Sequence, residues 1–237
     1  MKKTAIVLMD DLFHPAKRIL PYLSRYLDEV QWHICVMTHL DHICMINNAP
    51  DLFINFKDSR DNWRLQTPVW YQDSFSLQIA DFVTKEGCGY LAVHAGLMDI
   101  PQEHPIKTKV LHGGVDVDAG KPVFTTNQFF GKIPGLPFGL FSEVTFTPVA
   151  DHPILEGIEQ FDVIDEQLTV SIPDESCVEI LGYASSKEAG QSIAAWACEA
   201  GDGRVAGISL GHLTESLEHP SMIRLIQNAA KWCARPN

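Results

Sequence analysis

The sequence predicts an α/β domain built on a mainly parallel sheet with helices on both faces, and three observations carry that expectation. Short apolar runs recur along the first half: TAIVLM (Thr4–Met9), WHICVM (Trp32–Met37), DLFINF (Asp51–Phe56) and YLAV (Tyr90–Val93). They are apolar at nearly every position instead of every second one, as strands covered on both faces are. Segments with helical spacing separate them, the alternation that a parallel sheet with crossover helices requires. Finally, Asp10, Asp11 and His94 fall just past strand ends, where open α/β sheets gather their ligands.

The first strand ends in Asp10-Asp11, so MKKTAIVLMDD reads as a strand and not as a leader. Its apolar run is too short, and no small-residue cleavage site follows. Pro15–Leu27 is the first helix, with Ile19, Leu20, Leu23 and Leu27 on one face, Pro15 at its start and Pro21 breaking it. Asp73–Gly87 is the next, with Leu77, Ile79, Ala80 and Val83 on one side and Gly87 as its stop. From Lys107 to Phe141 the chain is rich in Gly, Pro and Phe and has no period, the signature of a lid or binding loop. Glu143–Val149 and Val178–Ser185 read as strands, and Ser192–Gly211 as a C-terminal hairpin turning at Gly201-Asp202-Gly203. Ser221–Cys233 closes the chain as a helix with the stripe Ile223, Ile226, Ala230 and Cys233. No repeat or linker divides the 237 residues, and 46% hydrophobic content supplies one core, so a single domain over 1–237 is expected.

Composition excludes several partners. Lys and Arg number 18 against 30 Asp and Glu, a net charge of −12. Nucleic acid is therefore not an expected partner, because its affinity comes from clustered cations. No stretch reaches the ~20 apolar residues of a bilayer span, so no membrane partner is expected. The 6 cysteines form no C-x-x-C pair, which points to reduced core thiols in a cytoplasmic protein. No G-x-G-x-x-G follows the first strand, where DDLFHP stands, so neither NAD nor FAD is expected. A homo-oligomer is compatible with these features but not specified by them.

The fourth strand runs into Ala92-Val93-His94-Ala95-Gly96. This is close to the spacing of a nucleophile elbow, the sharp strand-to-helix turn that exposes a reacting side chain. Where a hydrolase places Ser, or an amidotransferase Cys, this chain places His94. An imidazole there can act as a general acid/base or as a metal ligand.

Several short motifs then fall in order. LFHP follows the first strand and VHAG the fourth, and DHPILEGI (Asp151–Ile158) and DEQ (Asp165–Gln167) come after the loop-rich centre. GRVAGISLGH (Gly203–His212) precedes EHPSMIRLIQNAAKW (Glu218–Trp232). Together they resemble the trehalose-utilisation ThuA-like family, whose fold is class I glutamine amidotransferase-like and flavodoxin-related. The resemblance spans essentially the whole chain. It implies a role in carbohydrate metabolism on a disaccharide or a 3-keto sugar, and it carries no settled set of catalytic residues. The aromatic that commonly follows the family's DE pair is replaced by Gln167-Leu168, so a stacking contact for sugar is either lacking or supplied elsewhere.

Four residues are candidates for the chemistry. His212 follows Gly211 at a strand end, His14 follows the first strand, and Asp165-Glu166 supplies carboxylates. Adjacent residues on an extended segment point to opposite sides, so Glu166 is taken as the one facing the site. His94, His212 and Glu166 are the candidate catalytic groups. With His14 they are also candidate ligands of a divalent metal such as zinc, although no local metal spacing is present. Asp10, His14, His112, Gly113 and Gly114 are assigned to substrate binding, the glycines by bringing backbone N–H groups to a ligand. His104, His152 and His219, each before a proline, are assigned to turns and helix starts. Phe124, Phe129, Phe130, Phe138 and Phe141 either pin the long loop or line a sugar pocket. Cys88 precedes the fourth strand, so a Cys-dependent glutaminase is not expected. Hydrolysis, elimination and isomerisation of a sugar stay open, as does a non-enzymatic sugar- or partner-binding module.

Overall fold

The computed structural model describes residues 2–38, 48–60, 70, 74–115, 141–187 and 189–234. Cys44 and Phe124, Phe129, Phe130 and Phe138 lie outside the described residues. Nine strands among the described residues form one sheet: β1 (Lys3–Leu8), β2 (Trp32–Met37), β3 (Leu52–Asn55), β4 (Gly89–Val93), β5 (Ser142–Pro148), β6 (Phe161–Asp165), β7 (Glu179–Ser186), β8 (Gly190–Ala200) and β9 (Gly203–Ile208). Their spatial order is β2-β1-β3-β4-β9-β8-β7-β5-β6. The sheet is mixed. β2, β1, β3, β4 and β9 run parallel, and the pairings from β9 outward to β6 are antiparallel.

Connection length explains the division. Parallel neighbours need a crossover of about a dozen residues or more, whereas tight turns permit only antiparallel pairing. The first half supplies crossovers through α1 (Ala16–Ile19), α2 (Leu23–Tyr26) and α3 (Ser74–Glu86). β8 and β9 are separated only by Gly201 and Asp202. Pro21 breaks the first helix as expected, since α1 and α2 flank a 3₁₀ turn at Leu20–Tyr22. Leu20 leaves the apolar face at that break and is 45% exposed. Gly87, at φ 77°, ends α3 in the left-handed conformation that glycine adopts without strain.

The continuous apolar runs are explained by two cores. Ala5, Val7, Leu52, Ile54, Leu91, Val93, Ala206 and Ile208 pack with residues of α1, α2, α4 (Thr214–Glu218) and α5 (Pro220–Cys233) on one face. Ile6, Leu8, Phe53, Tyr90, Ala92 and Val205 pack with α3 and a π-helical turn, Ile106–Leu111, on the other. β1, β3, β4 and β9 therefore bury both faces, whereas β2, at the edge of the sheet, leaves His33, Cys35 and Val36 exposed despite its apolar run. Among the described residues no helix is long and apolar enough to cross a membrane.

The C-terminal ends of β1, β4 and β9 open onto one rim, which carries residues 10–14, 94 and 209–212. β6 lies at the far edge of the sheet, yet Asp165 at its end accepts the Gly211 N–H at 2.7 Å. The antiparallel half must curl back to make that contact. Phe161 on β6 stacks on His219 at the start of α5, ring centroids 4.9 Å apart, on the inside of that curl.

His94 itself sits at φ 45° and opens a 3₁₀ turn through Leu97. A residue with a β-carbon pays roughly 1–2 kcal/mol for the left-handed region, so the turn has to be enforced by its neighbours. Gly96 is the enforcing residue. A β-carbon there would stand 2.1 Å from the Asn55 carbonyl oxygen at the end of β3. Gly96→Ala is therefore expected to fall at the upper end of the ~1–3 kcal/mol cost of overpacked sites. For a chain of this size that lowers Tm by about 6–12 °C. Calorimetry on the variant checks it, and an unchanged Tm would show that the turn is not held by this approach.

Candidate functional site

The site is assembled from three strand ends and the curled edge of the sheet. After β1, the Asp11 carboxylate accepts the backbone N–H groups of Phe13 and His14 at 2.8 and 2.9 Å and that of Asp58 at 2.9 Å. The same carboxylate faces His14 Nδ1 at 2.9 and 3.1 Å. After β4, His94 Nδ1 lies 2.8 Å from the Ser209 carbonyl oxygen. After β9, the Asp165 carboxylate accepts the N–H groups of Gly211, His212 and Leu213 at 2.7, 3.1 and 2.9 Å. Arg18 Nη1 donates to the His212 carbonyl at 2.9 Å. Each histidine is thus clamped from behind.

What the clamps leave facing inward is the informative part. His14 Nε2 and His94 Nε2 each lie 3.1 Å from His212 Nδ1. Glu166 Oε2 lies 2.9 Å from His212 Nδ1 and 3.2 Å from His94 Nε2. A carbonyl only accepts, so His94 carries its proton on Nδ1, and an ionised Asp11 puts the His14 proton on Nδ1 in the same way. In neutral rings both Nε2 atoms are then lone pairs. His212 Nδ1 has one proton at most, with three acceptors around it. Four acceptor-capable atoms converge on one point with too few protons to join them.

Electrostatics sharpen the picture. Burial, the dominant influence, pulls His14 down to about 4 in spite of Asp11, so it is neutral at physiological pH. Burial also opposes charge on His94 most strongly, but Glu166, Asp165 and the Ser209 carbonyl outweigh it and raise its pKa. Burial would push Glu166 up, yet hydrogen bonds from His212 and His94 hold it well below the usual carboxylate range. The upward shift of His94 and the downward shift of Glu166 have one cause, the favourable pairing of an imidazolium with a carboxylate.

The three imidazole nitrogens could hold a metal ion, with the Glu166 carboxylate beside them. For bonds of about 2.0–2.1 Å, the edge of a coordination tetrahedron is roughly 3.3–3.4 Å. The His14–His212 and His94–His212 separations, 3.1 Å each, fall a few tenths of an ångström short of that edge. His14, His94 and His212 are the group among the described residues whose donor atoms lie within 4.8 Å of one another. Asp11 behind His14 and the Ser209 carbonyl behind His94 are the outer partners that fix the tautomer and aim of metal-binding imidazoles.

The other residues singled out in the sequence are placed elsewhere. Asp10, at φ 85°, spends its carboxylate on the Ala16 N–H at 2.8 Å, and its carbonyl accepts from Lys57 Nζ. It shapes the start of α1, and Asp11 is the carboxylate at the cluster. Gly114 is tied to Ser171 by both its N–H and its carbonyl, at 3.1 and 2.9 Å. Its N–H is therefore committed to the protein. His112, left-handed at φ 55°, lines with Gly113, Lys107 and Asp174 a cavity of about 290 Å³ whose lining residues include no member of the cluster. Gln167 turns into the sheet and donates from Nε2 to the Ala184 and Gly190 carbonyls and to Ser192 Oγ. Sequence reasoning missed Asp11, Asp165 and Ser209 as anchors. The D-x-x-H spacing from Asp11 to His14 was the one signal available for any of them. Cys88 is buried, its S–H is directed at the Gly89 carbonyl, and burial pushes its pKa up.

Comparisons with known proteins fit this arrangement. No curated protein matches the chain. Among solved structures, a ThuA-like protein from Parabacteroides merdae shares the fold with a TM-score of 0.72 at 16% identity, over 99% of this chain and 90% of that one. A ThuA-like protein from Bacteroides uniformis gives 0.67 at 13% identity, over 98% and 91%. The cold-adapted β-galactosidase from Rahnella sp. R3 gives 0.56 at 11% identity, over 98% of this chain but only 31% of that one. The family model for ThuA, trehalose utilisation, matches residues 63–233. That match covers more than half of the sequence, and the chain belongs to the ThuA family.

Proposed function

We propose that this protein is a metal-assisted enzyme of carbohydrate metabolism that acts on a disaccharide or keto-sugar. His14, His94 and His212 form its site for a divalent ion such as zinc, with Glu166 beside them. The observation that carries the reading is the convergence of two anchored Nε2 lone pairs, one Nδ1 and one carboxylate oxygen within 2.9–3.2 Å of their neighbours. Imidazole and carboxylate donors suit first-row divalent ions. The sugar class is supported by the family's description, trehalose utilisation. The parallel order β2-β1-β3-β4-β9 and the left-handed His94 support a flavodoxin-like, amidotransferase-like core with its thiol replaced. Buried free thiols at Cys88, Cys198 and Cys233 support a reducing, cytoplasmic setting.

A bound ion supplies Lewis-acid polarisation of a sugar oxygen. The chain supplies the rest. Asp11 and Ser209 keep His14 and His94 aimed inward, and Asp165 fixes the loop that carries His212. Glu166, ionised and at the same point, is the group that accepts a proton at Oε2 and returns it. A metal-free variant of the mechanism, in which His94 and Glu166 exchange the proton directly, is favoured by the raised pKa of His94. Chelation separates the two, because only the metal-assisted enzyme loses turnover of a keto-disaccharide when stripped and regains it with zinc. A binding module on this fold predicts sugar binding with no turnover in either state.

The metal assignment has direct consequences. Zinc added to stripped protein is expected to bind one ion per chain, and His94→Ala and His212→Ala each to weaken that binding at least about 100-fold. Wild-type and variant proteins that take up zinc alike in dialysis would contradict the site.

Proton linkage gives an independent check. The raised pKa of His94 means that the metal-free cluster keeps its proton to higher pH than a free imidazole would, and an incoming ion must displace that proton where it is held. Affinity should therefore rise with pH and level off above the His94 pKa. Titration calorimetry in buffers of different ionisation enthalpy should record proton release on zinc binding at pH 6 that falls away as the pH rises through the His94 pKa, and zero release at pH 6 would refute the linkage.

The anchors should matter almost as much as the ligands. Asp165→Asn places an NH₂ against N–H donors that the carboxylate accepts. Zinc affinity is expected to fall about 10–100-fold while far-UV circular dichroism stays native. Undiminished affinity would mean that the His212 loop is set by something else.

A further inference from the structure

We infer that Phe141 is the sugar-ring platform of this site, an apolar stacking subsite for a pyranose above His212 and Glu166. The inference rests on the carbohydrate reading proposed above and adds the residue that would hold the ring.

Register places Phe141 there. Ser142 pairs with Asp165 in the last rung of the antiparallel β5–β6 ladder, and Phe141 and Glu166 are the residues next beyond that rung on the two strands. Its ring centroid lies 5.1 Å from that of His212 at an interplanar angle of 53°. Phe141 thus lies beside two of the four converging groups. Its exposure is the unusual feature. Val144 and Phe146, further along the same strand, are fully buried, whereas Phe141 is 44% exposed. One side of the ring rests against His212 and a large part of the remainder faces outward.

The chemistry matches one class of ligand. Small-molecule sites combine apolar and aromatic surface with a few fixed polar groups. A pyranose presents hydroxyls at its edge and axial C–H groups on its face. The imidazoles and Glu166 serve the edge, and the phenyl ring, which has no donor to compete for the cluster, serves the face. Gln167, next to Glu166, is committed to the β7–β8 strands and leaves that role open.

The test uses full-length, zinc-loaded protein as wild type, Phe141→Ala and Phe141→Trp, with trehalose and its 3-keto derivative as probes. Zinc stoichiometry, KM and kcat are measured for each. Phe141→Ala should keep one zinc per chain and a kcat within about threefold while KM rises at least about tenfold, and Phe141→Trp should restore KM. An unchanged KM in Phe141→Ala overturns the inference. So does loss of zinc in that variant, which would make Phe141 a packing residue for the cluster. If wild type loads zinc but neither binds nor turns over either sugar, the subsite falls together with the carbohydrate reading while the metal site stands. If zinc-free protein still binds sugar and Phe141→Ala abolishes that binding, the metal reading falls and the subsite stands.

Discussion

The arrangement depends on one constraint: four acceptor-capable atoms are pressed together with too few protons to join them. Buried lone pairs facing one another are costly, because each forgoes water without gaining a donor. The protein accepts that arrangement and reinforces it. Asp11 commits its carboxylate to four N–H groups, counting the His14 ring. Asp165 commits both of its oxygens to three backbone N–H groups. Relaxing the cluster would require breaking these anchors first. A positive charge at the centre, whether a proton or a divalent ion, is what the geometry is built to accept.

The fold explains how residues so far apart in sequence meet. Parallel strands deliver His14, His94 and His212 from the ends of β1, β4 and β9, where the chain leaves the sheet. The antiparallel half then has a role beyond covering the core. By curling back it returns β6 to the rim, and Asp165 and Glu166 divide their labour there. One carboxylate holds the loop, and the other joins the cluster. The elbow at His94 is strained, and the close approach of Gly96 to Asn55 holds it in place.

Much of this was legible in the sequence, and the exceptions have physical causes. Unbroken apolar runs revealed strands buried twice over in all but the edge strand β2, and Pro21 and Gly87 marked real breaks. His14, His94 and Glu166, taken from three separate segments, each lie within hydrogen-bonding reach of His212. Asp10 and Asp11 were harder to tell apart, because which neighbour turns inward after a strand depends on a left-handed φ at Asp10 that carries no compositional mark. His112-Gly113-Gly114 read as a ligand loop because glycines permit close approach. In the structure Gly113 makes that approach to Ser171, where a β-carbon would stand 2.5 Å from the carbonyl oxygen. Asp165 was invisible as an anchor because its partners are backbone groups 46 to 48 residues away. The extent of the antiparallel half was under-read, since strand direction is set by connections more than by the strands themselves.

The most direct test of the proposed metal site looks at its centre. X-ray absorption at the zinc edge of the loaded protein reports the ligands themselves. The account predicts a first shell of nitrogen and oxygen at about 2.0–2.1 Å, with outer-shell scattering from three imidazoles that falls to two in His14→Ala. A shell containing sulfur, or a fully hydrated ion with no imidazole signature, would contradict it.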